Sequence, residues 1–151
     1  MAGLRVTAEN TANVALSAAT AKTVIQLNAP ANQRLKIQRV GVFFDGASTT
    51  AVPGDVQLVR KTTAGTGTAL TLTKQTSADS ETIQTGATEN HTAEGTNTTD
   101  IIDQWKVHPQ QGLDLTYAFG QEKMIVGGGR LALVCNFPAA VNVRAKIDFE
   151  E

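Results

Sequence analysis

The chain has 151 residues, a formal net charge of −1 and a single cysteine. That length fits one domain able to bury roughly 70% of its unfolded surface, so folding needs neither disulfide nor metal. Near-neutrality argues against a nucleic-acid binder or a membrane-surface binder, both of which want a basic excess, and one cysteine makes no internal disulfide.

The first residues, MAGLRVTAEN, lack the continuous apolar core of a signal peptide, and no apolar run approaches the ~20 residues of a membrane helix. The expectation is a chain made and kept in a reducing cytoplasm, or exported without a cleaved signal. Val, Ile and Thr are frequent, there are 13 glycines, and no long stretch repeats at helical spacing. Short alternating runs between Gly, Pro, Asn and Thr clusters predict an all-β protein, an antiparallel sandwich or barrel.

Residues 1–20 scatter Leu4, Val6, Val14 and Leu16 among Ala, Asn, Thr and Ser. They read as a frayed terminus, or as a mobile N-terminal arm whose four apolar side chains anchor it on a neighbouring subunit. Arg5 is its only basic residue, so it is not a genome-binding arm. Residues 21–151 are expected to form one β-sandwich domain. Within them, 21–27 puts Ala21, Thr23, Ile25 and Leu27 on one face, and a turn cluster follows at 28–32. Residues 35–44 form the next strand, whose phase slips: Leu35 and Ile37 have the opposite parity to Val40, Val42 and Phe44. A bulge near Gln38-Arg39 would restore a single apolar face. A polar loop over 45–55 and a short strand over 56–60 come after it.

Residues 62–100 are rich in Thr and Gly. Leu70 and Leu72 alternate with Thr71 and Thr73, which fits a strand, whereas 77–100 reads as a long polar surface or partner-contacting loop. Asn90 and Asn97 head glycosylation sequons that we take as coincidences of a Thr-rich stretch. Trp105 is expected over a core edge or a subunit contact. Leu113, Leu115, Tyr117 and Phe119 alternate as a strand face, and Gly127, Gly128 and Gly129 lead to the C-terminal runs. Over 141–149 apolar residues alternate with polar ones, and over 131–135 Leu131, Leu133 and Cys135 alternate with Ala132 and Val134. The Pro-containing connection between these two runs predicts a long terminal hairpin on which the sheet assembles. The total of seven or eight strands is the number for a two-sheet jelly roll.

Catalysis needs a nucleophile, a base and a group to hold developing charge. The only histidines are His91 and His108, and neither belongs to a nucleophile-elbow, HExxH or Cys-His pattern. Glu89, His91 and Glu94 can be drawn as a metal site, but their number and spacing match no known scheme. The Gly-rich stretches lack the Lys-Ser/Thr ending of a phosphate loop. Asp114 faces outward on its strand, and Cys135 reads as a buried, inert thiol. The expectation is therefore a protein that is not an enzyme, with no catalytic residue, no cofactor and no metal.

The stretch 105–151, WKVHPQQGLDLTYAFGQEKMIVGGGRLALVCNFPAAVNVRAKIDFEE, resembles small structural proteins encoded by tailed phages. So do residues 35–60 with the following Thr66-Gly67-Thr68-Ala69-Leu70. The most specific part is His108 to Leu115 together with Val141-Asn142-Val143. The resemblance is to capsid decoration, or cement, proteins and covers most of the chain from about Leu35 onward. The first thirty residues, with the arm anchors Leu4, Val6, Val14 and Leu16, and residues 77–100 match nothing in it and are where a capsid contact is expected. It implies a jelly-roll domain that assembles as a homotrimer on the capsid exterior of a virion, with the major capsid protein as partner and neither nucleic acid nor membrane bound. Trp105 and Tyr117 are the expected trimer or shell contacts, because interfaces favour these side chains; ordinary core packing is the alternative for both. A competing reading is a receptor- or carbohydrate-binding virion module, such as a head fibre or tail tip domain. Two others are a shell-forming jelly roll, disfavoured by the missing basic arm, and a cupin-like enzyme, disfavoured by two histidines far apart in sequence.

Overall fold

The computed structural model describes residues 3–45 and 52–151. Most of the expected 45–55 loop lies outside them, as do Met1 and Ala2. In chain order the strands are β1 (Arg5–Glu9), β2 (Val14–Leu16), β3 (Lys22–Asn28), β4 (Leu35–Asp45), β5 (Gly54–Lys61), β6 (Thr66–Ala69), β7 (Thr73–Lys74), β8 (Gly86–Ala93), β9 (Asn97–Val107), β10 (Leu113–Thr116), β11 (Lys123–Ile125), β12 (Arg130–Asn136) and β13 (Val141–Glu150). They form two antiparallel sheets packed face to face, a β-sandwich. One sheet has the order β10-β4-β13-β1-β7, with β11 continuing along β4 and β2 along β13; the other is β6-β8-β3-β12-β5-β9.

Alternation decides which side chains meet between the sheets. Val143, Ala145, Ile147 and Phe149 of β13 face inward, as do Leu131, Leu133 and Cys135 of β12, and all are buried. In β4 the expected bulge is present. Asp148 pairs with Arg39 and Phe149 with Ile37, leaving Gln38 as the extra residue. The insertion puts Leu35 and Ile37 on the same buried side as Val40 and Val42.

Three expectations need correction. First, residues 1–20 are not a free arm. The strand β1 lies between β13 and β7, paired with β13 from Arg5↔Glu150 to Glu9↔Lys146, and β2 pairs with β13 at its other end. Leu4, Val6, Val14 and Leu16 are 2%, 0%, 2% and 3% exposed. The apparent weakness of the pattern comes from Ala8, a small residue that nonetheless faces the core, and from the turn that separates β1 from β2. Second, half of 77–100 is strand, in β8 and the start of β9, with the loop proper confined to 77–85 and the bend at 94–96. Its inward positions include polar side chains, Glu89 and His91, that are buried with partners. Third, β12 and β13 are not paired with each other; they belong to opposite sheets. The connection at 137–140 crosses the end of the sandwich. Phe137 plugs that end, its ring edge-on to Phe44 with centroids 4.8 Å apart.

The second sheet has a further feature. β5 runs on towards β6 and β8 towards β9, so 54–69 and 86–107 form one long antiparallel ribbon. Its β5–β9 half pairs with one side of β12, and its β6–β8 half with the far side of β3. Between the halves the ribbon bends across the outer face of β12 and β3. There it covers a second apolar cluster, Val59, Ala132 and Val134, together with Thr23 and Gln26. The bend is tied down by Glu94, which accepts bonds from Lys61 Nζ at 2.8 Å and from the Thr23 N–H at 2.7 Å, as well as from the Thr23 hydroxyl. Burial pushes the Glu94 carboxyl up, but the hydrogen bonds from Lys61 and Thr23 outweigh it and hold the group below its ordinary value.

Candidate functional site

With Leu4, Val6, Val14 and Leu16 in the core, none of the four reaches a neighbour. Trp105 and Tyr117 are brought to the same edge of the sandwich. Trp105 lies on the edge strand β9 opposite Val56, and Tyr117 directly follows β10, its N–H donating to the Gln38 carbonyl at 2.8 Å. Both are half-buried and pack against the core. The Tyr117 hydroxyl donates to Asp103 Oδ2 at 2.7 Å, so it bridges the edge of one sheet to the edge of the other. Lys123 Nζ sits 5.2 Å from the Tyr117 ring centroid and 3.4 Å from the Asp103 carboxylate. Burial first, and the Asp103 carboxylate second, hold the phenol far above its ordinary value, so it is a fixed donor. As Tyr117 is the only tyrosine, alkaline titration should show no tyrosinate absorbance near pH 10 until the protein unfolds. Tyr117→Phe should lower stability by about 1.5 kcal/mol, read as a shifted urea midpoint at unchanged slope.

Between β10 and β11 the chain leaves the edge of β4 as a short loop and then rejoins it. Phe119 stands on this loop, 99% exposed. The expected strand face therefore stops at Thr116 and does not include Phe119. Gly120, at φ +84°, takes the left-handed backbone that turns the chain back. Its N–H donates to Glu122 Oε2 at 2.7 Å, and the Gln121 N–H to the Ala118 carbonyl at 2.9 Å. With Tyr117 clamped at its base, the loop presents Phe119 on a braced support. Met124 and Val126, just beyond it, are also substantially exposed. The Phe119-Gly120 pair was the signal in the sequence, since glycine after an alternating run marks a turn as readily as a continued strand.

The outer face of the first sheet is charged and internally paired. Arg39 grips Asp114 with two bonds of 2.7 and 2.6 Å. Asp148 receives the Thr7 hydroxyl at 2.6 Å and has Lys146 at 3.5 Å, and Arg144 lies 3.7 Å from Glu9. Exposed pairs of this kind add little stability; they leave the face locally neutral.

Glu89, His91 and Glu94 do not converge on a metal. Glu89 accepts bonds from Asn10 and Thr11, whereas Glu94 faces Lys61 and Thr23. His108 Nδ1 accepts the Gln110 N–H at 3.1 Å, capping a turn. The Cys135 thiol is fully buried, and burial pushes it up to about 12, so it is held unreactive. No protein-family model, no curated protein and no solved structure matches this chain.

Proposed function

We propose that this chain is a virion structural protein of the tailed-phage kind, a decoration or cement protein. It binds the exterior of an assembled head shell as a homotrimer, with the major capsid protein as partner, and stabilises it. The winding supports this reading. Taken as the four-stranded cores β10-β4-β13-β1 and β3-β12-β5-β9, the strand order is compatible with two interleaved Greek keys, as in a jelly roll. The β6–β8 hairpin and β7 are then insertions between β5 and β9.

The observation that carries the proposal is Phe119, a large apolar side chain held almost wholly in water on a braced loop. Such an anchor is what an interface uses as a hot spot. Trp105 and Tyr117, both half-buried, lie at the same edge of the sandwich. A cement protein works by binding the assembled lattice and not its separated subunits, so its binding energy adds to shell stability by mass action. Three linked copies reinforce one another.

The test is co-sedimentation of the purified protein with heads that lack it. The wild type should bind and raise the temperature at which heads rupture. Phe119→Ser should leave thermal stability unchanged, as surface substitutions do, and weaken binding by at least about tenfold. Full binding by Phe119→Ser removes the loop from the contact. Binding to glycans with none to heads replaces the proposal with a receptor- or carbohydrate-binding module.

A further inference from the structure

His91 lies at the end of the ribbon's β8 arm and is 2% exposed. Its Nε2 is 2.9 Å from the Thr88 hydroxyl, and its Nδ1 has no hydrogen-bond partner among the described residues. Opposite it stand two glycines. A Cβ placed on Gly67 would come within 2.4 Å of His91 Cδ2, and one on Gly65 within 2.5 Å of Nδ1. The imidazole therefore packs directly on the facing backbone, and the two glycines are what make room for it. Of the charged groups near the ring, Glu94 favours a proton on it and Lys61 opposes one. They are paired with each other at 2.8 Å and act on the ring in opposite directions, Glu94 more strongly, while burial outweighs either. Glu89, two residues away on the same strand, is committed to Asn10 and Thr11.

We propose that the bend of the ribbon is an acid-released strap. Protonating His91 frees residues 62–67 and 92–97 from the outer face of β3 and β12 and uncovers Val59, Ala132 and Val134, while the sandwich beneath stays folded. The cause is local. An imidazolium carries two N–H donors and a charge, and this site offers an acceptor to one nitrogen and little water. Beyond the ribbon's own pairing, the strap is held at its bend chiefly by Glu94 with Lys61 and Thr23.

The direction with pH follows. Burial lowers the His91 value from 6.5 in the closed strap, so the open strap binds the proton more readily. Closure is fully favoured above about pH 6.5 and is lost as pH falls below it towards the lowered value. Glu94, whose value is also lowered from 4.5, adds its own loss only below about pH 4.5. A change between those two values belongs to His91. Its opening equilibrium should rise by up to about tenfold per pH unit.

The experiment is residue-resolved amide hydrogen exchange on the full chain, above pH 6.5 and between 6.5 and 4.5, corrected for the intrinsic pH dependence of exchange. Amides of 62–67 and 92–97 should exchange faster on the acid side while those of β4 and β13 keep their protection. Binding of a hydrophobic dye should rise in parallel. Both changes should vanish in His91→Gln and persist in His108→Gln. The proposal is overturned if an NMR titration finds the wild-type His91 imidazole ionising at or above its ordinary value. It is equally overturned if the ribbon and β4–β13 lose protection together, or if His91→Gln keeps the full pH response. Should His91→Gln not fold, the wild-type titration and exchange map decide between these outcomes.

Discussion

Deletion of residues 1–16 abolishes folding, as we expect from the place of β1 in its sheet. The strand is bonded to β13 over five residue pairs and to β7 on its other side. Leu4 exchanges two backbone bonds of 3.0 Å with Glu151, so the first described strand and the chain end close on each other. Removing it strips Leu4, Val6, Ala8, Val14 and Leu16 from the core and leaves the inner flank of β13 with unpaired N–H and C=O groups. Truncating one buried leucine to alanine costs about 2–5 kcal/mol. A domain of this size has about 5–15 kcal/mol of net stability, so the loss of two leucines and two valines together with the pairing of β1 and β2 exceeds the reserve. Leu16→Ala alone should stay folded with a urea midpoint lowered by that single-site amount. Far-ultraviolet circular dichroism and a thermal melt of the deletion report the outcome directly. A cooperative melt from the truncated chain would return these residues to the role of a dispensable arm.

How far the sequence could be read depends on what alternation encodes. It tells which face of a strand is apolar, so the inward faces of β4 and β13 were legible, and so was the bulge at Gln38, because a phase slip has only one remedy that keeps a single face buried; β12 is apolar on both faces and buried on both. Alternation does not tell which strand is the partner. The runs of β12 and β13 look the same whether they pair side by side or face each other across the core, which is why a hairpin was expected where the chain changes sheets at Phe137. Polar burial was the other obstacle. Glu89, His91, Lys61 and Asn10 are all buried, yet nothing in a Thr- and Asn-rich stretch separates a polar side chain with partners from one in water. Trp105 and Tyr117 were singled out by residue type alone, and it is the fold that brings them to one edge. Phe119 was drawn into the strand because its parity matched, and only the backbone turn at Gly120 removes it.

Asn10 offers the second large effect. It sits in the turn between β1 and β2, 1% exposed, and joins three strands from both sheets. Its backbone N–H donates to the Ala145 carbonyl at 3.1 Å, and its Oδ1 accepts the Ala145 N–H at 2.8 Å, so β13 is held by both bonds. Its Nδ2 donates to the carbonyl of Val24, the extra residue of a bulge in β3, at 3.2 Å, and to Glu89 Oε2 of β8 at 2.8 Å. Glu89 receives two more bonds from Thr11, through its N–H and its hydroxyl. Leucine keeps the branched shape but is larger, and it removes every side-chain bond. Asn10→Leu should therefore cost about 3–5 kcal/mol, the sum of lost bonds and of a buried carboxylate deprived of a donor.

Asn10→Asp separates electrostatics from packing. It keeps the shape but puts a second carboxylate within bonding distance of the first, and two such groups cannot both ionise cheaply. At neutral pH this variant should be less stable than Asn10→Leu. The carboxyl pair then holds a proton more tightly folded than unfolded, so its contribution is regained as pH falls through the raised folded value. That is the reverse of the proposed strap, whose closure is lost in acid through His91. Urea midpoints of the two variants at neutral and mildly acidic pH should cross, and parallel curves would place the Glu89 carboxylate out of contact with position 10.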